Sequence, residues 1–225
     1  MEPTGPEAAG TKERLLESAC RVFADKGYRD ATIAEICHEA GANNAAVNYH
    51  FGDKASLYVE AWRLAFQRSM EAHPPDGGVP QGAPAEERLR GRVLALMHRM
   101  LDQGSHEFDI MHSDMVNPTG LLEEAKREVI EPVRQAMAAL VREFLGPDAP
   151  DRDVHLCQIS ILAQCFHTML HRRRLETRSE PRPAYVHPDL EFSVEMMADH
   201  IVRFSLGGIG AIRRQAENGG LGDLE

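Results

Sequence analysis

ATIAEICHEAGANNAAVNYHFGDK, residues 31–54, is the stretch that decides the fold of this chain. Thr32-Ile33-Ala34-Glu35 has the form of a capping box: the Thr32 hydroxyl accepts from the backbone N–H of Glu35, and the Glu35 side chain reaches back to Thr32. Ile33 and Ile36 face inward. Gly41 ends this helix after eight or nine residues, because a residue without a Cβ takes the left-handed stop at little cost. Asn43 caps a second short helix that runs to His50, and Phe51-Gly52 breaks it. Asp53 then caps a longer helix, Lys54 to Ala72, with Leu57, Ala61, Leu64 and Ala65 on its inner side. Two short helices joined by Gly41-Ala42, with a third to brace them, form a helix-turn-helix.

The second helix of such a pair enters the major groove of DNA, so its outer face has to be small and polar. Asn44, Ala45, Ala46 and Asn48 meet that demand, with Asn43 at the helix start. An asparagine can donate and accept at an adenine edge, and an alanine lets the backbone approach and touches a thymine methyl. Val47 and Phe51 turn inward. Tyr49 and His50, at the helix end, can reach phosphates. Lys54 can pair with a phosphate drawn to the N-terminus of the next helix.

Upstream, a helix is expected from Thr11, as its cap, to Lys26, with Leu15, Leu16, Ala19, Val22 and Phe23 on one face. Gly27 stops it. Downstream, residues 73–84 hold four prolines and three glycines and form a loop. Helices are expected over 85–103, 106–116, 119–145 (kinked at Pro132), 151–174 and 189–206, with a proline-bearing loop over 175–188 and a frayed tail from Gly207. No strand pattern and no repeat is visible. The expected fold class is therefore all-α: a disordered tail over 1–10, a three-helix helix-turn-helix domain over 11–55, a larger helical ligand-binding and dimerisation domain over 56–206, and a flexible tail over 207–225.

Composition narrows the classes further. Of 225 residues, 43% are hydrophobic, enough for a packed core. No apolar run is long enough to span a membrane. Met1–Gly10 has neither the basic flank nor the apolar centre of a secretory signal, so a cytoplasmic location is expected. Cys20, Cys37, Cys157 and Cys165 form no CxxC pair and read as small buried residues. The net charge is −10, and residues 1–54 carry six Lys/Arg against nine Asp/Glu. A non-specific nucleic-acid coat is excluded by that balance, so DNA recognition has to rest on local geometry.

The ordered run Phe23-Ala24-Asp25-Lys26-Gly27-Tyr28, Ala31-Thr32-Ile33-Ala34-Glu35-Ile36, Ala40-Gly41 and Asn48-Tyr49-His50-Phe51-Gly52-Asp53-Lys54 resembles the DNA-binding domain of the TetR family. Asn48 stands where that family often has an aromatic, but Asn-Ala-Ala-Val-Asn-Tyr-His-Phe is similar to its CecR-like subgroup. Asn117-Pro118, Val129-Ile130-Glu131-Pro132 and Ile159-Ser160-Ile161-Leu162-Ala163-Gln164-Cys165 resemble the ligand-binding domain of that subgroup. The resemblance implies a homodimer, a palindromic operator on double-stranded DNA, and repression relieved by a small-molecule effector. It implies base contacts at Asn44, Ala45 and Ala46, and phosphate contacts at Thr32, Asn48, Tyr49, His50 and Lys54.

For the larger half, Trp62, Phe66, Phe108, Met111, Met115, Leu122, Phe166 and Met169 are candidate walls of an effector cavity, each set against the plainer reading that it is core. Met97, Met100 and Met111 suit a tolerant pocket or a loose core equally. His167 and His171 stand at i, i+4 near Cys165, and His106 and His112 lie elsewhere. No carboxylate completes a set with the histidine pair and Arg172-Arg173-Arg174 would repel a cation, so no metal and no cofactor is expected. Leu156, Ile159, Leu162 and Ala163 on one helix, with Phe192, Met196 and Ile201 on another, offer faces for a four-helix dimer interface. No nucleophile elbow, phosphate loop or HExxH is present, and an enzyme is not expected. Two alternatives stand beside the repressor: an activator, and a small-molecule-binding helical protein without operator binding, to which Asn48 and the acidic N-terminal charge lend support.

Overall fold

The computed structural model of the protein describes residues 6–102, 104–177 and 192–217, with side chains over 10–102, 104–167 and 192–217. Among the described residues all regular structure is helical: α1 (Pro6–Asp30), α2 (Ile33–Ala40), α3 (Asn44–Phe51), α4 (Lys54–Ala72), α5 (Ala85–Leu101), α6 (Glu107–Val116), α7 (Glu123–Leu145), α8 (Asp151–Thr177) and α9 (Val194–Glu217). They form two compact units. The first holds α1–α4, α6 and α7 as far as Ile130; the second holds α5, α7 from Glu131, α8 and α9.

The core of the first unit follows from the apolar stripes of its helices. Leu15, Ala19 and Phe23 of α1 meet Ile36 and Cys37 of α2, Val47 and Phe51 of α3, and Leu57, Tyr58, Ala61 and Trp62 of α4. Ile110 of α6 and Leu122 and Ala125 join the same cluster. The Phe23 ring meets Tyr58 edge-on with centroids 4.9 Å apart, a favoured aromatic geometry. Polar ties fix the helices to each other: Arg14 Nε donates to the Ala40 carbonyl at 3.1 Å, and Cys20 Sγ to the Ala61 carbonyl at 3.2 Å. All four cysteines are free and buried, and burial pushes the thiols of Cys20 and Cys165 up to about 11 and about 12.

In the second unit α9 packs on α5 and α8. Leu89, Val93, Met97 and Met100 are buried on α5, Ile161 and Cys165 on α8, and Ala198, Ile201, Val202 and Ile209 on α9. Arg88 Nη2 donates to both carboxylate oxygens of Glu143 at 2.7 Å, an ion pair across α5 and α7. Gln158 donates to the Arg134 carbonyl at 2.7 Å.

Several expected boundaries move, each for a local reason. Helix α1 starts at Pro6, not at Thr11; proline suits a first helical turn, whose N–H groups have no partner in any case. Its regular turns end at Gly27, as expected, where φ 70, ψ 179 breaks the helix before one further turn to Asp30. Helix α7 begins at Glu123 rather than residue 119, because Thr119 is tied down: its hydroxyl donates to Asp114 at 2.6 Å and its N–H to the same oxygen at 3.2 Å. Helix α7 then continues through Pro132. The glycines from Gly207 do not end α9, which runs to Glu217; Ile209, 4% exposed, packs inward, and its burial, about 1.5–3 kcal/mol, offsets much of the roughly 1 kcal/mol that each helical glycine costs. The loop expected over 175–188 lies outside the described residues beyond Thr177, as do residues 189–191 of the last expected helix.

Candidate nucleic-acid interface

Each short helix of the first unit has its own cap. The Thr32 hydroxyl accepts from the Glu35 N–H at 3.2 Å, while the Thr32 N–H and hydroxyl donate to the Glu35 carboxylate at 3.0 and 2.9 Å. Asn43 Oδ1 accepts from the Ala46 N–H at 3.0 Å, and Asp53 Oδ1 from the Ser56 N–H at 2.7 Å. Gly41, at φ 61, supplies the stop between α2 and α3. These caps fix the start of α3 and hence the face that it presents.

That face is exposed and small. Asn44, Ala45, Asn48 and Tyr49 are exposed, and Ala46 and His50 are half-buried. Tyr49 stands 60% exposed, its ring edge-on to His50 at 4.9 Å. Val47 is fully buried and Phe51 nearly so, which anchors the opposite side of α3. The phenol of Tyr49 is therefore outside the core, and the Tyr-His-Phe run divides into one anchor and two groups facing outward.

The structure adds two details to the expected contacts. The N-terminus of α4 carries the expected Asp53 cap, whose carboxylate is held below its ordinary range by the Ser56 N–H. Lys54 stands over the Tyr28 ring, with Nζ 4.6 Å from the centroid and 3.5 Å from the Arg29 carbonyl. The Thr32 hydroxyl, similarly, is already engaged as both donor and acceptor.

The acidic balance takes on a local form. Of the six cations within residues 1–54, Arg21 pairs with Glu39 and Lys26 with Glu35 at 2.6 Å. Arg14 is bound to the Ala40 carbonyl and the Thr11 hydroxyl. Lys12 lies 5.7 Å over the Phe51 ring, and Lys54 lies over Tyr28. Arg29, in the last turn of α1, is exposed and has no partner among the described residues. The sequence pattern singles out neither Lys12, within α1, nor Arg29, in its last turn.

The candidate cavity residues divide between the two units. In the first, Trp62 is fully buried, Phe66 and Phe108 nearly so, Leu122 is core, Met111 is half-buried and Met115 is 63% exposed. Phe166, in the second, is half-buried, and Met169 lies outside the residues whose side chains are described. The Trp62 Nε1 and Tyr58 hydroxyl are buried without a hydrogen-bond partner among the described residues. Met97 and Met100 are core of the second unit, whereas Met111 belongs to the first. His167 is exposed and His171 lies outside the described side chains. No group of three His, Cys, Asp or Glu that could hold a metal occurs among the described residues, and no helix there is long and apolar enough to cross a membrane.

On the second unit, Leu156 and Ile159 of α8 and Phe192 and Met196 beside and on α9 are exposed by 46–57%. Ala163 is exposed and Leu162 half-buried. Ile201 is a correction: at 3% exposed it closes the unit's own core. Phe204, one turn further along α9 and 66% exposed, takes the outward place instead. With Leu156, Gln164 and Ile212 it rims a groove of about 180 Å³.

Comparison with known proteins agrees with this geometry. Residues 15–61 match the family model of bacterial regulatory proteins of the tetR family. Residues 85–209 match the C-terminal domain of the HTH-type transcriptional dual regulator CecR. The chain is 27% identical over 150 residues to the dual regulator CecR of Shigella flexneri, covering 62% of this chain and 67% of that one. It is 36% identical over 62 residues to the transcriptional regulator AcrR of the same organism, where the match spans 28% of this chain and 29% of the relative. Among solved structures, a transcriptional regulator from Pseudomonas aeruginosa PAO1 superposes with a TM-score of 0.69 at 20% identity, over 91% of this chain and 92% of that one.

Proposed function

We propose that this chain, which belongs to the TetR family of bacterial regulatory proteins and to its CecR-like branch, binds a palindromic operator as a homodimer and is released from it by a small-molecule effector. The family is one of DNA-binding regulators, not of enzymes. The observation that carries the operator reading is the outer face of α3. Asn44, Ala45 and Asn48 stand exposed on a helix whose other side is anchored by Val47 and Phe51. Such a face offers amide groups for base edges and little bulk to hold the groove away.

Dimerisation is the second part of the reading. Two recognition helices reading a palindrome have to lie about 34 Å apart, which one copy cannot supply. The exposed Leu156, Ile159, Met196 and Phe204 support α8 and α9 as the face that meets a second copy. The related CecR is described as a dual regulator. For this chain we infer repression, with activation the outcome where the operator lies clear of the promoter.

The test is selection of duplexes from a random-sequence pool by the full-length protein, followed by titration of the selected duplex. Recovery of a palindrome bound by two copies is the expected result, and recovery of no duplex would remove the operator reading. Asn44→Ala should relax sequence choice at one position of each half-site, at about 1–3 kcal/mol. Lys54→Ala should weaken binding to all sequences alike.

A further inference from the structure

Among the cations of the helix-turn-helix helices and their connections, Lys54 reaches the backbone of Arg29, and neither side chain has a carboxylate partner among the described residues. Lys54 Nζ sits 3.5 Å from the backbone carbonyl of Arg29, and the Arg29 side chain leaves that same residue exposed and without a partner among the described residues. The Tyr28 ring under Lys54 is itself supported, with its centroid 5.0 Å from that of Tyr58 and 6.4 Å from that of Phe23; Tyr58 and Phe23 are fully buried. Lys54 thus rests on a fixed aromatic platform, not on a flexible loop. Three residues after Arg29, Thr32 opens α2, the helix that precedes the recognition helix.

We propose that Arg29 and Lys54 grip a single DNA phosphate between them, and that the Tyr28 ring is the positioning group that holds Lys54 in place for it. Two like charges brought together repel until an anion enters, and a guanidinium and an ammonium differ usefully in that role. Arginine presents a fork of donors and lysine a compact charge. A lysine ammonium has three N–H donors, so with one directed to the Arg29 carbonyl and the ring face below it, a donor remains for an anion. The neighbouring Asp30 carboxylate is exposed and opposes the anion, so it sets a limit on the clamp's strength. This assignment rests on the operator reading above.

The test uses the full-length protein and the duplex selected by wild type, with affinity measured by fluorescence anisotropy across a series of potassium chloride concentrations. Each phosphate neutralised contributes about 0.9 to the slope of log K against log salt. Arg29→Ala and Lys54→Ala should each weaken binding about three- to tenfold. Because one phosphate is shared, the double variant should lower the slope by about 0.9 per protomer, whereas two separate phosphates would give about 1.8. Arg29→Lys should keep the slope. Tyr28→Leu should lose what Lys54→Ala loses, and combining the two should lose no more; Tyr28→Phe, which keeps the ring, should bind as wild type. Circular dichroism checks that each variant is folded. An Arg29→Ala protein with unchanged affinity and slope, or a double variant near 1.8, overturns the clamp and leaves the operator reading intact. A wild type that selects no duplex overturns both.

Discussion

Gly27 is constrained both by its backbone conformation and by its neighbour on α6. It sits at φ 70, ψ 179, a region essentially reserved for glycine, and a residue with a Cβ held there costs about 1–3 kcal/mol. A Cβ built on it would also lie 2.2 Å from Ser113 Oγ of α6, well inside contact distance. Overpacking of that kind costs about 1–3 kcal/mol. Gly27→Ala should therefore destabilise the protein by about 2–6 kcal/mol, a large share of an ordinary domain's 5–15 kcal/mol. The two parts separate experimentally. Ser113→Ala removes the oxygen alone, and as no hydrogen bond of that hydroxyl is seen among the described residues, its own effect should stay within about 0.5 kcal/mol. In the double variant the steric part falls away, since the next atom, Ser113 Cβ, is at 3.5 Å, and the backbone part remains. Urea unfolding of the four proteins gives the coupling directly. Recovery of about 1–3 kcal/mol in the double variant is expected. A Gly27→Ala protein as stable as wild type, or a double variant no better than Gly27→Ala alone, would refute the reasoning.

Three further outcomes follow from the geometry. The Lys26 ammonium and the Thr32 cap hold the Glu35 carboxyl below its ordinary value; its contribution to stability is present above the ordinary glutamate range and is lost as pH falls through the lower folded value. Carboxyl-resolved NMR should find Glu35 titrating low, and Lys26→Met should move it up; an unmoved titration would leave Lys26 without that role. Phe204→Glu should convert a dimer to monomers in sedimentation, because each Phe buried contributes about 1.5–3 kcal/mol and a two-fold interface loses it twice; a dimer of undiminished affinity would rule out this face. Tyr58→Phe removes a buried hydroxyl that has no partner among the described residues and should leave stability unchanged or raise it by about 1 kcal/mol; a clear loss on thermal melting would count against that.

Caps and stops were legible in the sequence because their chemistry is local. Thr32 with Glu35, Asn43, Gly41 and Asp53 each act within three or four residues, and the structure has each of them in place. The exposed side of α3 was legible for a related reason, since Val47 and Phe51 are the only large apolar groups between Asn43 and Gly52 apart from Tyr49. What escaped depended on distant partners. Nothing near Lys54 in the chain says that Tyr28 will lie beneath it. Nothing near residue 119 says that Asp114 will hold Thr119 and Lys126 together at 2.6 and 2.7 Å and delay α7 by a turn. Ile201 and Phe204 are both large and apolar on one helix, and which of them faces out is decided by α5 and α8.

The sealed helix ends have a consequence for how such a protein would find its site. With the starts of α2, α3 and α4 capped by Glu35, Asn43 and Asp53, the helix ends add little to the pull of the few unpaired cations in a segment that carries six Lys/Arg against nine Asp/Glu, and chance encounters with arbitrary sequence should be brief. A genome presents millions of decoy sites, and a weak hold on them leaves most copies free. Occupancy of the true operator would then track the number of molecules in the cell closely, and a modest change in their number or in their liganded fraction would be read out without delay from a reservoir on bulk DNA.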